Sequence, residues 1–498
     1  MRQRLFNEIL MARQRVYAVS DPTPLQRIEL PFPTEVLLKR EDLSPIHAYK
    51  WRGAYNAMAT LPEPAIREGV VCASAGNHAQ GVALAARKLG IHAHIFMPVS
   101  TPKMKQVAVI RHGGDAVSVV LTGDTYDDAA LEARALADNT GLAYIHPYDD
   151  WAVMGGQGTL ADEVVMAAGP IDAAYLQIGG GGMAASVACW LKAYYPGIRI
   201  VGVEGVDQAS MAAAVSAGRP ITLDHVDVFC DGTAVKRAGD LTYPMCAELI
   251  DEFITVTNEE VCAAIQTLWE SKRVIPEPSG AMGLAGVLKH RDRLEGKRVL
   301  SVLCGANLDF GQLAWIARHA GIGMATRRYL RLELSEARGS LLEVLEKDLD
   351  EVNIIEFQYG KIHAEKAFPV IGIEAPPDAA NNALAKLAIH GIPCEDVTSQ
   401  TDVEFRMVHY EPALFCKPLF ITLEFPERAG ALRDFLRNAS GKANICYFNY
   451  AFTGEQVGHA LLGFEFESAA ERDAFSTFLR NFGWGYREIE AHALSRVL

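Results

Sequence analysis

The sequence predicts an α/β protein: a parallel-sheet domain over its first two thirds, then two copies of a smaller α+β module. Three observations predict this. Between residues 20 and 320, short apolar β-rich runs alternate with helical patterns. The turns after those runs are rich in glycine, serine and asparagine. Beyond 325, one stretch of sequence repeats itself in a single register.

The elements follow in chain order. The first 19 residues, MRQRLFNEILMARQRVYAV, are amphipathic and charged. They lack the apolar core and small-residue cleavage site of a secretory signal, so they read as the first helix. Strand candidates are 36–38, 70–73, 94–97, 116–121, 174–178, 199–203 and 299–303. Helix-like stretches such as 79–88 and 126–139 lie between them. Strand–loop–helix repetition means a parallel sheet covered on both faces. Functional residues in such sheets collect at the carboxyl ends of strands. The character changes at RYLRLELSE, where polar and apolar residues alternate. Here LELSEARGSLLEVL resembles LEFPERAGALRDFL, and NIIEFQYG resembles NICYFNYA. Gly339 matches Gly430, Asn353 matches Asn444, Phe357 matches Phe448 and Tyr359 matches Tyr450, all at one offset. One register kept through strand, helix and strand means two copies of one module, over 326–400 and 418–498, joined by 401–417.

Bulk properties narrow the function. A chain of 498 residues suggests about three domains. The net charge of −14 argues against nucleic acid or an anionic membrane as partner. It leaves room for a local site that takes one small anion. No apolar run reaches the ~18 residues needed to span a bilayer. Nine scattered cysteines, without a C-x-x-C pair or zinc spacing, read as reduced thiols of a cytoplasmic protein.

Five stretches are candidates for chemistry. In KREDLSPIHAYKWRGAY, Lys50 stands between Tyr49 and Trp51 at the start of a helical run. Burial disfavours an ammonium ion, so a lysine held among aromatics becomes a nucleophilic amine able to form a Schiff base. In ASAGNHAQGVA, Ser74, Ala75, Gly76, Asn77 and His78 lead from a strand into a helix. Unpaired N–H groups at a helix start bind anions such as a carboxylate; a plain N-cap by Ser74 or Asn77 is the alternative. In LQIGGGGMAAS, Gly179, Gly180, Gly181 and Gly182 follow a buried strand. Without Cβ atoms, their N–H groups can converge on a phosphate. In VLSVLCGAN, Cys304 ends a strand, and in VIPEPSGAMG, Glu277 precedes a helix as an acid favoured by its dipole. A phosphate-bearing aldehyde, pyridoxal 5′-phosphate, uses the lysine, the anion loop, the glycine cradle and the strand-end thiol together, all at one kind of position in one sheet.

At these residues the chain resembles the biosynthetic threonine deaminases, fold-type II pyridoxal-phosphate enzymes. The matching text is TPLQ, KREDLSPIHAYKWRGAY, SAGNHAQGVA, GGQGT, GGGG, DGTAVKR, EPSGAMGLAG and CGAN, with coverage of essentially the whole chain. The resemblance implies two open parallel-sheet subdomains followed by two ferredoxin-like, ACT-type regulatory modules. It implies deamination of L-threonine to 2-oxobutanoate and ammonia, the first committed step of isoleucine biosynthesis. It implies that Lys50 carries the cofactor and removes the substrate α-proton. Gly179, Gly180, Gly181 and Gly182 then bind the phosphate, Asn77 the phenolic oxygen, and Cys304 faces the pyridine nitrogen with Tyr49 beside the ring. Ser74, Ala75, Gly76 and His78 form the substrate loop. Two departures stand out: Ala48-Tyr49 replaces the family's Ser-Phe, and Cys304 replaces a serine.

Further expectations follow from that resemblance. Relatives that racemise serine carry a hydroxyl at the Ala75 position, so little racemase activity is expected. Relatives that bind a divalent cation place an acid shortly after the Glu204 position; Gln208 and Ser210 stand here, so no metal site is expected. The duplicated tail implies an amino-acid sensor inhibited by isoleucine and relieved by valine, with Tyr359 and Tyr450 as candidate pocket residues, in a homotetramer. An ordinary strand aromatic is the alternative for each tyrosine. Rival functions are a serine/threonine dehydratase, another β-eliminating enzyme of this cofactor, and a catalytically silent amino-acid-binding regulator.

Overall fold

Strand Val70–Ala73 is buried at every residue, as its unbroken apolar run requires. It lies in a parallel four-stranded sheet with Val117–Leu121, Ala93–Met97 and Ala143–Tyr144. A second sheet has six strands in the order Leu25–Ile28, Glu35–Arg40, Arg298–Leu303, Ala173–Gln177, Arg199–Gly205 and Glu252–Val256. Its first pair is antiparallel and the rest are parallel. The chemistry-bearing loops therefore belong to two sheets and not to one, as strand–helix periodicity alone suggested. Periodicity shows that strands exist; which strands pair is decided by contacts far apart in sequence.

The computed structural model describes residues 1–404, 406–426, 431–451 and 457–489. The chain divides into two units, Met1–Gly323 and Met324–Leu498. In the first unit, helix Arg2–Tyr17 forms as its amphipathic pattern predicts, burying Leu5, Ile9, Ala12 and Val16. Among the described residues, no helix is long and apolar enough to cross a membrane.

The second unit contains two β-α-β-β-α-β runs. In the first, Arg327–Leu332, Asn353–Gly360, Val370–Glu374 and Cys394–Asp396 alternate with helices Ser340–Lys347 and Pro377–Ile389. In the second, Leu419–Pro426, Asn444–Ala451, Val457–Glu465 and Tyr486–Glu488 alternate with Ala431–Ala439 and Ala469–Phe482. This is the ferredoxin-like order. The two runs share one eight-stranded antiparallel sheet, joined where Asn353–Gly360 pairs with Asn444–Ala451. In that pairing Phe357 lies opposite Tyr450 and Tyr359 opposite Phe448. The two Phe-x-Tyr motifs thus meet across a pseudo-two-fold axis at Gln358 and Asn449. Helix and sheet residues of both runs form one apolar core.

Candidate functional site

Lys50 is the first residue of helix Lys50–Ala59. The chain reaches it through His47, which takes a left-handed φ of 56°. Residues 47–49 then run antiparallel to 304–306. Tyr49 N–H donates to the Cys304 carbonyl (3.0 Å), and Ala306 N–H donates to the His47 carbonyl (2.9 Å). The lysine is thereby tied to the end of strand Arg298–Leu303. The glycine loop leaves the neighbouring strand Ala173–Gln177 at the same edge.

Lys50 is half-buried, and its Nζ donates to the Pro147 carbonyl at 3.0 Å. It lies 5.5 Å from the centre of the Tyr49 ring. No ion pair joins it to a carboxylate among the described residues. Burial pulls its pKa down to about 8, against the opposing pull of Cys304 and Glu277. Burial pushes the Cys304 thiol up, so it is uncharged in the neutral range, and Glu277 is the group that supplies negative charge there. Cys304 Sγ sits 3.6 Å from the Ser279 carbonyl oxygen.

The loop after Val70–Ala73 comes from the other sheet. Its helix, Asn77–Leu89, starts at Gly76 and has no side-chain cap. The alternative for this loop, a plain N-cap by Ser74 or Asn77, is therefore absent. Ser74 Oγ instead accepts the Gly76 N–H at 3.1 Å. Residues 74–77 are half-exposed, and nothing lies within 4 Å of where a Cβ on Gly76 would point. The N–H groups of Asn77, His78 and Ala79 precede the first intrahelical bond, from Gln80 N–H to the Gly76 carbonyl (3.3 Å). The His78 ring is turned inward, with Nε2 2.9 Å from the Ile145 carbonyl oxygen. Burial pulls its pKa down to about 3, so the ring is neutral and only its N–H faces the loop. This helix crosses the lysine helix closely: a Cβ on Gly81 would lie 3.0 Å from Trp51 Cα.

Glu277 stands at a helix start, as its sequence context suggested, but its carboxylate is bonded elsewhere. It starts helix Pro278–Lys289 but makes no capping bond. Its carboxylate, 3 % exposed, accepts Asn77 Nδ2 at 2.7 Å and the Asn307 N–H at 3.1 Å. Asn307 Nδ2 donates in turn to Asn77 Oδ1 (2.6 Å) and to the Ile46 carbonyl (2.9 Å). Burial, then Asp231, raise the Glu277 pKa to about 7, while Asn77, Asn307 and Lys105 oppose the shift. Asn307 went unassigned in the sequence, although it closes the CGAN motif.

Gly179, Gly180, Gly181 and Gly182 leave no room for side chains. A Cβ on Gly179 would meet Thr233 Cα at 2.9 Å, and one on Gly180 the Tyr148 ring at 2.4 Å. Gly181 has a φ of +93°, which glycine alone adopts readily, and Gly182 opens helix Gly182–Tyr194. An amine with a lowered pKa, a side-chain-free turn at a helix start and an uncharged thiol fit a phosphate-bearing aldehyde cofactor.

Glu204 is buried and accepts the N–H groups of Met211 (2.9 Å) and Ala212 (2.8 Å). Gln208 Nε2 donates to the Asp227 and Cys230 carbonyls. Among the described residues, no group of three or more His, Cys, Asp or Glu is placed to hold a metal ion.

The second unit has a cavity lined by Glu336, Gly339, Ser340, Tyr359, Leu436 and Asn444, among others. The Tyr359 hydroxyl donates to Glu336 Oε2, and Asn444 Nδ2 donates to Glu336 Oε1 at 3.0 Å. Lys361 Nζ is 3.9 Å from Glu336 and 2.5 Å from Glu465. Burial raises the Glu336 pKa. Tyr450 is buried and does not line this cavity. Gly430, the counterpart of Gly339, lies outside the described residues. Glu336 was missed, although LELSE and LEFPE repeat its position as Glu427, also outside the described residues.

Known proteins match parts of both units. The family model described as "Pyridoxal-phosphate dependent enzyme" matches residues 18–305. The one described as "C-terminal regulatory domain of Threonine dehydratase" matches residues 417–496. The biosynthetic L-threonine dehydratase IlvA of Burkholderia multivorans is 36% identical over 494 residues, covering 97% of both chains. Its Escherichia coli counterpart is 35% identical, covering 95% of this chain and 93% of that one. Among solved structures, the processed form of threonine deaminase isoform 2 from Solanum lycopersicum matches with a TM-score of 0.62 and 38% identity. It covers 64% of this chain and 88% of that one. Maize serine racemase matches with a TM-score of 0.58 and 30% identity, covering 64% of this chain and 97% of that one.

Proposed function

The chain belongs to the threonine dehydratase family of pyridoxal-phosphate-dependent enzymes, and from that premise we propose that it converts L-threonine to 2-oxobutanoate and ammonia with Lys50 as cofactor lysine and general base. The observation that carries this is the Lys50 amine: pulled down to about 8, free of an ion-paired carboxylate, and tied to the end of strand Arg298–Leu303, whose neighbour Ala173–Gln177 leads into the glycine loop. When bound, pyridoxal 5′-phosphate supplies an electron sink for charge left on the substrate α-carbon.

The protein's own residues supply the rest. Gly179, Gly180, Gly181 and Gly182 hold the phosphate through backbone N–H groups at the start of their helix. Asn77, with one Nδ2 hydrogen held by Glu277, would offer the other to the cofactor's phenolic oxygen. Backbone N–H groups of the loop formed by Ser74, Ala75, Gly76 and His78 hold the substrate carboxylate. Tyr49, whose ring centre is 5.5 Å from Lys50 Nζ, would flank the cofactor ring. Cys304 would be a neutral partner for the pyridine nitrogen, which favours prompt loss of the β-hydroxyl. Lys50 Nζ takes the α-proton, the hydroxyl departs with a proton as water, and the proton held on Lys50 is given back, so elimination removes one H and one OH from the substrate. Water then returns as ammonia leaves, so the net change is threonine to 2-oxobutanoate plus ammonia. Ala75 has no proton to give on the opposite face, so racemisation is not part of this reading.

The second unit is an amino-acid sensor in this reading. Isoleucine inhibits and valine relieves, and Tyr359 with Glu336 forms one effector pocket. Tyr450 serves a second pocket across the pseudo-two-fold axis. The enzyme works as a homotetramer in the cytoplasm, where nine free cysteines remain reduced. The test is keto-acid production from L-threonine with and without isoleucine, in the full chain and in one truncated after about residue 322. The full chain is expected to be inhibited and the truncated chain to be insensitive. Preserved inhibition in the truncated chain would put the effector site elsewhere.

A further inference from the structure

Two residues after Lys50, on the same helix, Arg52 is fully buried. Around it lie Lys39, Glu41 and Glu163, each between 0 and 3 % exposed. Two cations and two anions balance. Arg52 Nε and Nη2 donate to the two oxygens of Glu41 at 2.8 and 3.0 Å. Nη1 and Nη2 donate to the two oxygens of Glu163 at 2.5 and 2.9 Å. Nη1 also donates to Thr159 Oγ1 at 3.1 Å. A guanidinium has five N–H donors in a fixed plane, and here each has its own acceptor. Lys39 Nζ reaches Glu163 and the Thr23 carbonyl, both at 2.5 Å, and the Thr23 hydroxyl donates to Glu41 at 2.5 Å.

We propose that Lys39, Glu41, Arg52 and Glu163 form a positioning device that fixes the rotation of the lysine helix and thereby the place of Lys50 Nζ. The cluster joins this helix to strand Glu35–Arg40, to the turn Glu41–Leu43 and to helix Trp151–Ala167. The helix has no side-chain cap of its own to hold its first turn. Its distance from helix Trp151–Ala167 is set by glycine: a Cβ on Gly156 would lie 2.3 Å from the Arg52 carbonyl oxygen. Close backbone contact fixes separation, and a planar fork clamped on both sides fixes roll. Stability alone does not account for such a cluster, because burying four charges is no more favourable than filling the same space with apolar side chains. Position does account for it, because an error of about 1 Å in a reacting group costs roughly 100-fold in rate.

The proposal rests on Lys50 being the cofactor lysine, and the test keeps the two ideas apart. Borohydride fixation and peptide mass analysis of the wild-type holoenzyme show whether Lys50 carries the cofactor; failure there removes the functional reading itself. With that attachment established, Arg52→Lys keeps the charge but cannot fill five acceptors. We expect the cofactor still on Lys50, a kcat at least about 10-fold lower with KM little changed, and a displaced pH midpoint of the cofactor's visible absorbance. Thr159→Val removes one acceptor only and is the second variant should the first not fold; the same midpoint is expected to move in the same direction by less. Replacing the cluster by apolar side chains, Lys39→Met, Glu41→Leu, Arg52→Met and Glu163→Leu, separates position from stability. Its melting temperature is expected to hold while kcat and the midpoint change. Folded Arg52→Lys or Thr159→Val enzyme with wild-type kcat and an unmoved midpoint would overturn the proposal.

Discussion

Two sets of buried charge flank Lys50, one built around Arg52 and the other around Glu277, and they differ in how completely they are paired. The Arg52 set holds two cations against two anions, with every guanidinium N–H matched. The Glu277 set is a single carboxylate facing neutral amides, with no cation at ion-pair distance among the described residues. Their titration differs accordingly. Arg52 is raised further from neutrality by Glu41 and Glu163, even against burial. Glu277 is raised by burial to about 7, within reach of ordinary pH. A saturated cluster cannot change charge and so holds a position. An under-neutralised acid titrates near neutrality and so adjusts the amine beside it.

The largest expected effect is at Lys50 itself. Lys50→Ala removes the amine on which both sets act, and the visible absorbance of bound cofactor is expected to vanish with more than about 1,000-fold of the turnover. The Glu277 side is probed next by Glu277→Gln. Cofactor uptake by the apo-protein needs the neutral amine, so uptake is expected to be half-maximal near pH 8 in the wild type. Glu277 holds the Lys50 pKa up, so losing its charge lowers that pKa. The uptake midpoint is therefore expected to move below pH 8, with turnover about 10-fold lower as one of the two donors on this carboxylate, Asn77 Nδ2 or the Asn307 N–H, faces an NH2 group in place of an oxygen. An unmoved midpoint would erase the contrast between the two sets.

A smaller effect is expected in the second unit, where the buried acid Glu336 accepts from the neutral donors Tyr359 and Asn444 but also has Lys361 Nζ at 3.9 Å. Tyr359→Phe removes one donor to Glu336 and is expected to raise the half-inhibitory isoleucine concentration about 10-fold. An unchanged inhibition curve would separate this cavity from regulation. The smallest is Cys304→Ser, which exchanges a weak donor for a stronger one at an uncharged position. Turnover is expected to stay within about three-fold of wild type. A larger loss would give the thiol a role beyond neutrality.

The sequence made the buried strands legible. Residues 70–73 read as a strand because all four are apolar and fully enclosed, and Val70–Ala73 is that strand. Leu25–Ile28 and Glu252–Val256 were not read, because these edge strands are half-exposed and carry charged residues at alternate or terminal places. The glycine loop was legible because four adjacent glycines between apolar elements have few other uses. Glu277 was legible only as a helix start, since its partner Asn77 lies 200 positions away. Lys39 and Glu41 look like the solvated end of a strand. Glu163, 124 positions beyond Lys39, is what draws them inside. Local pattern thus predicts elements and loops, while long-range pairing decides which charges are buried together.

The most direct test of the account is the rate of 2-oxobutanoate formation from L-threonine by purified, cofactor-loaded wild-type protein, beside folded Lys50→Ala. Turnover by the wild type and none by the variant is the predicted result. No 2-oxobutanoate from the wild type, or turnover that survives in Lys50→Ala, would contradict it.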